Sequence, residues 1–249
     1  MKIMKKTVRI HGIPQSISEP FWLFDNDADL KAHHKYQEAK SGGVEASVEL
    51  ILDVALDFLN SIKDRLPRDA IYIAPHAREA AGDNAIPQVL ATALAIITQG
   101  QVETDIVQVT RVYHTGADPM ERMCLRPEFE GVVIKAAHYV LVDDVTNMGG
   151  TIAELANYLQ RAGGQVVAVV VLVNAGRIKQ FHPTRKVIRE LEKRYGNEIE
   201  EIFGVIPSAF TSNEANYIIG FKSSDEIRNR LAKARKETEN RLRSKGIER

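Results

Sequence analysis

The sequence predicts an α/β protein built on a parallel sheet, and three observations carry that expectation. Strand-length apolar runs alternate with helix-periodic segments from about residue 44 to 175, the order that gives parallel strands with crossover helices. Val166 to Val173 runs without a polar residue, as a strand buried on both faces requires. Tyr139 to Thr151 reads as a strand, a loop with paired glycines and the start of a helix.

In chain order, residues 1–24 carry Pro14, Pro20 and the cluster Phe21-Trp22-Leu23-Phe24 and read as irregular. A short helix is expected at about 27–40, ended by Gly42-Gly43. Val44, Val48, Ile51, Leu52, Ala55, Phe58, Leu59 and Ile62 recur at three and four residues and predict a second helix with one buried stripe. Pro67 closes it, and Ala70 to Ala74 reads as a short buried strand. A third helix opens near Asn84, with Pro87 tolerated in its first turn. A strand is expected at Ile106 to Val112, then a long loop at about 113–131. Tyr139 to Val142, Ile152 to Ala162 and Gln165 to Val173 follow as strand, helix and strand, and helices are expected at about 184–195, 212–219 and 223–243. The organisation read from this pattern is an extension at 1–43, a core at 44–175 and a helical extension at 176–249.

Composition excludes several classes. Thirty-three basic residues balance 33 acidic ones, so no global field favours nucleic acid or an anionic membrane. The longest apolar run is far too short to span a bilayer. Cys124 is the single cysteine, which rules out an intramolecular disulfide and suits a reducing, cytoplasmic setting. Asp25-Asn26-Asp27-Ala28-Asp29 begins like a calcium loop, but Leu30 and Tyr36 stand where glycine and a bidentate acid are needed.

The chemistry concentrates in Val140-Leu141-Val142-Asp143-Asp144-Val145-Thr146-Asn147-Met148-Gly149-Gly150-Thr151. The carboxyl end of a strand in an open α/β sheet is where ligands collect. Adjacent carboxylates there can accept hydrogen bonds from two neighbouring hydroxyls, as on a ribose. Glycines let backbone N–H groups approach one phosphate. A helix amino terminus adds partial positive charge, and Thr151 can serve as cap and phosphate donor.

This segment resembles the ribose-5-phosphate signature of type I phosphoribosyltransferases. Asn84-Ala85-Ile86-Pro87-Gln88-Val89-Leu90-Ala91 and Arg122 to Phe129 resemble the ComF-like and amidophosphoribosyltransferase branch, and the resemblance covers about 70–175. It implies a type I phosphoribosyltransferase-like parallel sheet flanked by helices, to which the pattern read above adds mostly helical segments at both ends. It implies that Asp143 and Asp144 hold the ribose 2- and 3-hydroxyls, and that Val145, Thr146, Asn147, Met148, Gly149, Gly150 and Thr151 wrap the 5-phosphate. Pro75-His76-Ala77-Arg78-Glu79 matches the pyrophosphate loop, with Arg78 as the guanidinium partner of the phosphate oxygens. The 113–131 region matches a mobile loop, for which Arg111, His114, Arg122 and Arg126 are candidate ligands.

The implied activity is transfer of a phosphoribosyl group from 5-phosphoribosyl 1-pyrophosphate (PRPP) to a nitrogenous acceptor, with Mg²⁺ held more by substrate and water than by protein, Asp143 and Asp144 contributing indirectly. A homodimer that binds small molecules, without nucleic acid or membrane, completes the expectation. Two departures narrow the acceptor. Asn147 stands where hypoxanthine–guanine enzymes carry an acid, and no lysine lies between Lys63 and Lys135 to match the mobile-loop lysine of orotate enzymes. A catalytically silent sensor of PRPP or a nucleotide is the alternative, since a fold alone does not fix a function.

Overall fold

The computed structural model describes residues 7–76, 84–109 and 118–244. In chain order the elements are β1 (Phe21–Phe24), α1 (Ala28–Ala32), α2 (Tyr36–Lys40), α3 (Val44–Ile62), β2 (Ile71–Ile73), α4 (Ile86–Thr98), β3 (Gln101–Glu103), β4 (Val107–Gln108), α5 (Pro119–Cys124), β5 (Phe129–Glu130), β6 (His138–Thr146), α6 (Gly150–Arg161), β7 (Gln165–Asn174), α7 (Arg185–Tyr195), α8 (Glu198–Phe203), α9 (Ser212–Ile218) and α10 (Ser224–Ser244). Five strands form one sheet in the order β1–β7–β6–β2–β3, and every neighbouring pair is parallel. The expected fold class, a parallel sheet flanked by helices with helical segments at both ends, is what forms.

Side chains alternate between the faces of the sheet, as a period of two demands. Val140, Val142, Val170 and Leu172 join Tyr72 against α3 and α4. Tyr139, Leu141, Val169 and Val171 join Ile71 and Ile73 against α6. A third apolar cluster gathers α5 and α7 to α10 around Leu191, Tyr195, Phe203 and Phe210. Among the described residues, no helix is long and apolar enough to cross a membrane.

Expectations change at several points: the helix expected at about 27–40 breaks into α1 and α2, and the loop expected at about 113–131 carries α5 and β5. Residues 21–24 are not irregular, because Phe21, Trp22 and Phe24 pair with Val170, Val171 and Val173 and extend the sheet at β7. Of the strand expected at 106–112, Val107–Gln108 pairs antiparallel with Phe129–Glu130 outside the main sheet, and residues 110–112 lie outside the described residues; the sheet takes Gln101–Glu103 beside β2 instead. The buried face of α3 is rotated from the stripe read in the sequence. Leu50, Ile51, Ala55, Leu59 and Ile62 are buried, together with Ala46 and Ser47, while Val44, Val48 and Leu52 point outward.

The chain order of the strands creates a crevice. From β2 the chain runs through α4 to β3 on one side; from β6 it runs through α6 to β7 on the other. The two connections leave in opposite directions, so the carboxyl ends of β2 and β6 flank a topological switch point, the favoured ligand position in such sheets.

Candidate functional site

Strand β6 is longer than the sequence pattern indicates, and that length builds the site. Its pairing with β2 stops at Leu141 opposite Ile73, yet its pairing with β7 continues through Asp143, Val145 and Thr146. Asp143 and Asp144 therefore lie in the strand, not in the loop after it, and project past the end of β2 into the crevice. The acids are held by the ladder on one side and face open space on the other.

Their environments differ. Asp143 is half-buried, and its Oδ1 accepts the Asp144 N–H at 2.9 Å. Burial, and then the charge of Asp144, pushes the Asp143 carboxyl well above the ordinary aspartate range, with Lys40 opposing. Asp144 is buried; its Oδ2 accepts from Lys40 Nζ and from Asn84 Nδ2, the latter at 3.0 Å. Burial draws the Lys40 ammonium down, but Asp144 outweighs it and the net direction is up. Lys40 comes from α2 and was not among the candidates from the sequence. A lysine on a short polar helix gives no local signal, and its partner lies 104 positions along the chain.

The expected phosphate loop follows directly. Thr146 ends β6 beside Asn174. Asn147 is exposed, and Met148 packs toward the third apolar cluster. Gly149 takes the left-handed conformation, φ 79°, and forms the N-cap of α6. Thr151 is thus inside the first turn and is not the cap, a correction caused by the helix starting two residues earlier than Ile152. Glycine at the cap makes no side-chain hydrogen bond to the first N–H groups of α6, which suits them to an anion.

The back of this loop is fixed by the C-terminal helices. Thr211 donates from Oγ1 to the Met148 carbonyl at 2.5 Å, and it also caps α9 in a box with Glu214. Behind Gly150 lies a buried cluster of two arginines and two glutamates. Arg9 contacts Glu214 at 2.5 Å and Glu154 at 3.4 Å, and Arg126 contacts Glu154 at 3.1 Å. Glycine at 149 is required twice, by its φ and by a would-be Cβ only 3.2 Å from Thr211 Cγ2. Gly149→Ala is expected to cost about 1–2 kcal/mol from the left-handed backbone. Urea unfolding reads this directly, and an unchanged midpoint would mean the loop relaxes freely.

Other expected residues scatter more. Pro75 and His76 sit at the end of β2 on the cavity wall, and the His76 carbonyl accepts the Gln108 N–H at 2.7 Å. Ala77, Arg78, Glu79, Arg111 and His114 lie outside the described residues. Arg122 lies on α5 and lines the cavity. Arg126, expected on a mobile loop, lines the cavity as well but is only 7% exposed. Its guanidinium donates to the Gly204 carbonyl at 2.7 Å and the Thr7 carbonyl at 2.8 Å besides facing Glu154, so it is a structural tie. The cavity that these parts enclose measures about 830 Å³, within the range of small-molecule sites.

No family model matches the chain. It is 36% identical over 214 residues to Protein TraN of Escherichia coli, covering 84% of this chain and 48% of that protein. It is 37% identical over 133 residues to an uncharacterized protein of Haemophilus influenzae, covering 53% of this chain and 30% of that one. The chain therefore spans less than half the length of these curated relatives. Among solved structures it is similar to a purine phosphoribosyltransferase from Pyrococcus horikoshii, with 14% identity, TM-score 0.32 and coverage of 54% of this chain and 76% of that one. It is likewise similar to an orotate phosphoribosyltransferase from Aeropyrum pernix, with 20% identity, TM-score 0.30 and coverage of 58% and 66%.

Proposed function

We propose that the protein is a phosphoribosyltransferase that binds PRPP at the switch point between β2 and β6 and passes its phosphoribosyl group to a nitrogenous acceptor. One observation carries this reading: an acid pair and an uncapped, glycine-led helix terminus follow each other along one strand end and face one crevice. The acids suit the two ribose hydroxyls, and the helix terminus suits the 5-phosphate.

In the reaction, the bond from ribose C1 to the pyrophosphate oxygen breaks, the pyrophosphate leaves with the bonding pair, and the acceptor nitrogen bonds to C1 and releases its proton to the departing pyrophosphate or to water. Positive charge grows on the sugar ring. The Asp144 carboxylate, joined by Asp143 once that group ionises, opposes that charge while both acids fix the hydroxyls, which is electrostatic stabilisation by groups already in place. Among the described residues, no three His, Cys, Asp or Glu side chains gather as a metal cage. The acid pair offers hard oxygen donors suited to a Mg²⁺ ion carried by substrate. Such an ion, when bound, would supply charge against the pyrophosphate.

The test is to incubate the protein with Mg²⁺, PRPP and a panel of bases and amines. Acceptor-dependent pyrophosphate release is the expected result. Tight PRPP binding with no turnover across the panel would instead indicate a sensor. No detectable PRPP binding would dispose of both readings.

A further inference from the structure

We propose that Lys40 is a substrate-binding residue of this site, its ammonium reaching from Asp144 to the diphosphate on C1 of the bound sugar. The inference rests on the reading above and adds a residue and a role to it.

The position of Lys40 is built. Tyr36 and Ala39 of α2 are buried, and the Ala39 carbonyl accepts the Ala85 N–H at 3.2 Å. The helix is thereby seated on the start of α4. Gly42, at φ 98°, and Gly43 then turn the chain sharply into α3. A Cβ on Gly43 would meet the Glu38 carbonyl oxygen at 2.9 Å, so the turn is tight. Lys40 is the last residue of α2 before this turn, and its side chain, 35% exposed, lies along the cavity wall with its ammonium on Asp144.

The arrangement divides the crevice into two ends. The amino terminus of α6 lies on one side of the acid pair. On the other lie the end of β2, the start of α4, Asn84 and Lys40, and both of these side chains donate to the same Asp144 oxygen. A PRPP molecule has an anion at each end of its ribose. With the 5-phosphate at α6 and the hydroxyls on the acids, its diphosphate points toward Lys40.

Electrostatics gives the lysine a purpose there. The Asp144 carboxylate repels an incoming diphosphate, and a cation seated on it cancels that charge at the place of entry. An ammonium has three donors. Among the described residues Lys40 hydrogen-bonds Asp144 alone, so donors remain for ligand oxygens without giving up that partner. Lys40 would then touch the leaving group as its charge develops.

Titration calorimetry of the full chain with PRPP and with ribose 5-phosphate separates the possibilities, because the second ligand lacks the diphosphate. Lys40→Met is expected to weaken PRPP binding roughly 10- to 100-fold, the range for a lost hydrogen bond to a charged group. Ribose 5-phosphate should bind within about twofold of the parent, and Lys40→Arg should recover part of the PRPP affinity. Lys40→Gln, which can still hydrogen-bond Asp144, covers the case of a poorly folded methionine variant and should show the same selective loss. Equal weakening of both ligands, or unchanged PRPP affinity, would overturn the role of Lys40 and leave the proposed function standing. A parent protein that binds neither ligand would overturn the proposed function, and this inference with it.

Discussion

Arg9→Met is expected to lower the free energy of unfolding by about 3–5 kcal/mol, the usual loss when one partner of a buried ion pair is removed. Arg9 is fully buried and sits between Glu214 and Glu154, and its guanidinium also donates to the Gly150 carbonyl at 3.4 Å. Methionine restores much of the volume but none of the charge, so two buried glutamates are left to share Arg126. The attraction itself is not the main term. The cost comes from carboxylate charge that water can no longer reach and no cation balances. Replacing Arg9 and Glu214 together with methionine should therefore be milder than Arg9→Met alone, since the remaining Arg126–Glu154 pair is neutral. Urea unfolding of the two variants at neutral pH measures this. A single variant within about 1 kcal/mol of the parent would show that the cluster is better solvated than its geometry implies.

Asp143→Asn is expected to cut kcat/KM for pyrophosphate release about 100-fold while making the folded protein more stable at neutral pH. Under the proposed function, the first effect follows from losing a carboxyl that, once ionised, accepts from a ribose hydroxyl and opposes the developing cation. The second follows from the direction in which burial and Asp144 shift the Asp143 carboxyl. A carboxyl raised in the folded state favours folding in its protonated form. The penalty for ionising it is absent below the ordinary aspartate value of about 4. It grows as pH rises toward the raised folded value and is complete above that. Asparagine never ionises, so the variant's advantage should vanish in acid and appear toward neutrality. Urea midpoints at pH 4 and pH 7, set beside the kinetics, test both halves. A variant less stable than the parent at both pH values would contradict the pairing of strain with function.

Both effects together would mark the pair as one that the proposed function needs and folding disfavours. Adjacent carboxylates repel each other, and folding alone would prefer an amide. Lys40 and Asn84 offset part of that cost on Asp144, whereas Asp143 retains it.

How much of this was legible in the sequence depended on how local each signal was. The unit from β6 to α6 could be read because apolar run, acids, glycines and helix follow within a few residues, and each constrains the next. The helices at 185–195, 212–218 and 224–244 were legible from pattern for the same reason. The strand β1 was not: four residues after Pro20 carry no periodicity, and what makes them a strand is β7, far along the chain. The face of α3 was misread because apolar residues occupy two adjacent stripes, and only the packing of α4 and the sheet selects between them. For β3, polar ends on a three-residue edge strand hid it beside the more apolar Ile106–Val109. Lys40 and the burial of Arg126 were invisible because each depends on a partner brought in by tertiary structure. A charge in a sequence does not say whether it will face water, a ligand or another charge.

The contact between Arg9 and Glu214 joins positions 205 residues apart, and this bears on how the molecule is made. During synthesis the amino-terminal segment emerges early, yet its partners on α6 and α9 arrive much later. The central strands β2, β6 and β7 can collapse with their helices before that, but the support behind the loop between β6 and α6 must wait until α9 has left the ribosome. Closing so long a loop is a late and slow event. A nascent chain should therefore acquire its sheet first and its binding competence last, and a ribosome stalled before α9 should display a folded core that does not hold ligand.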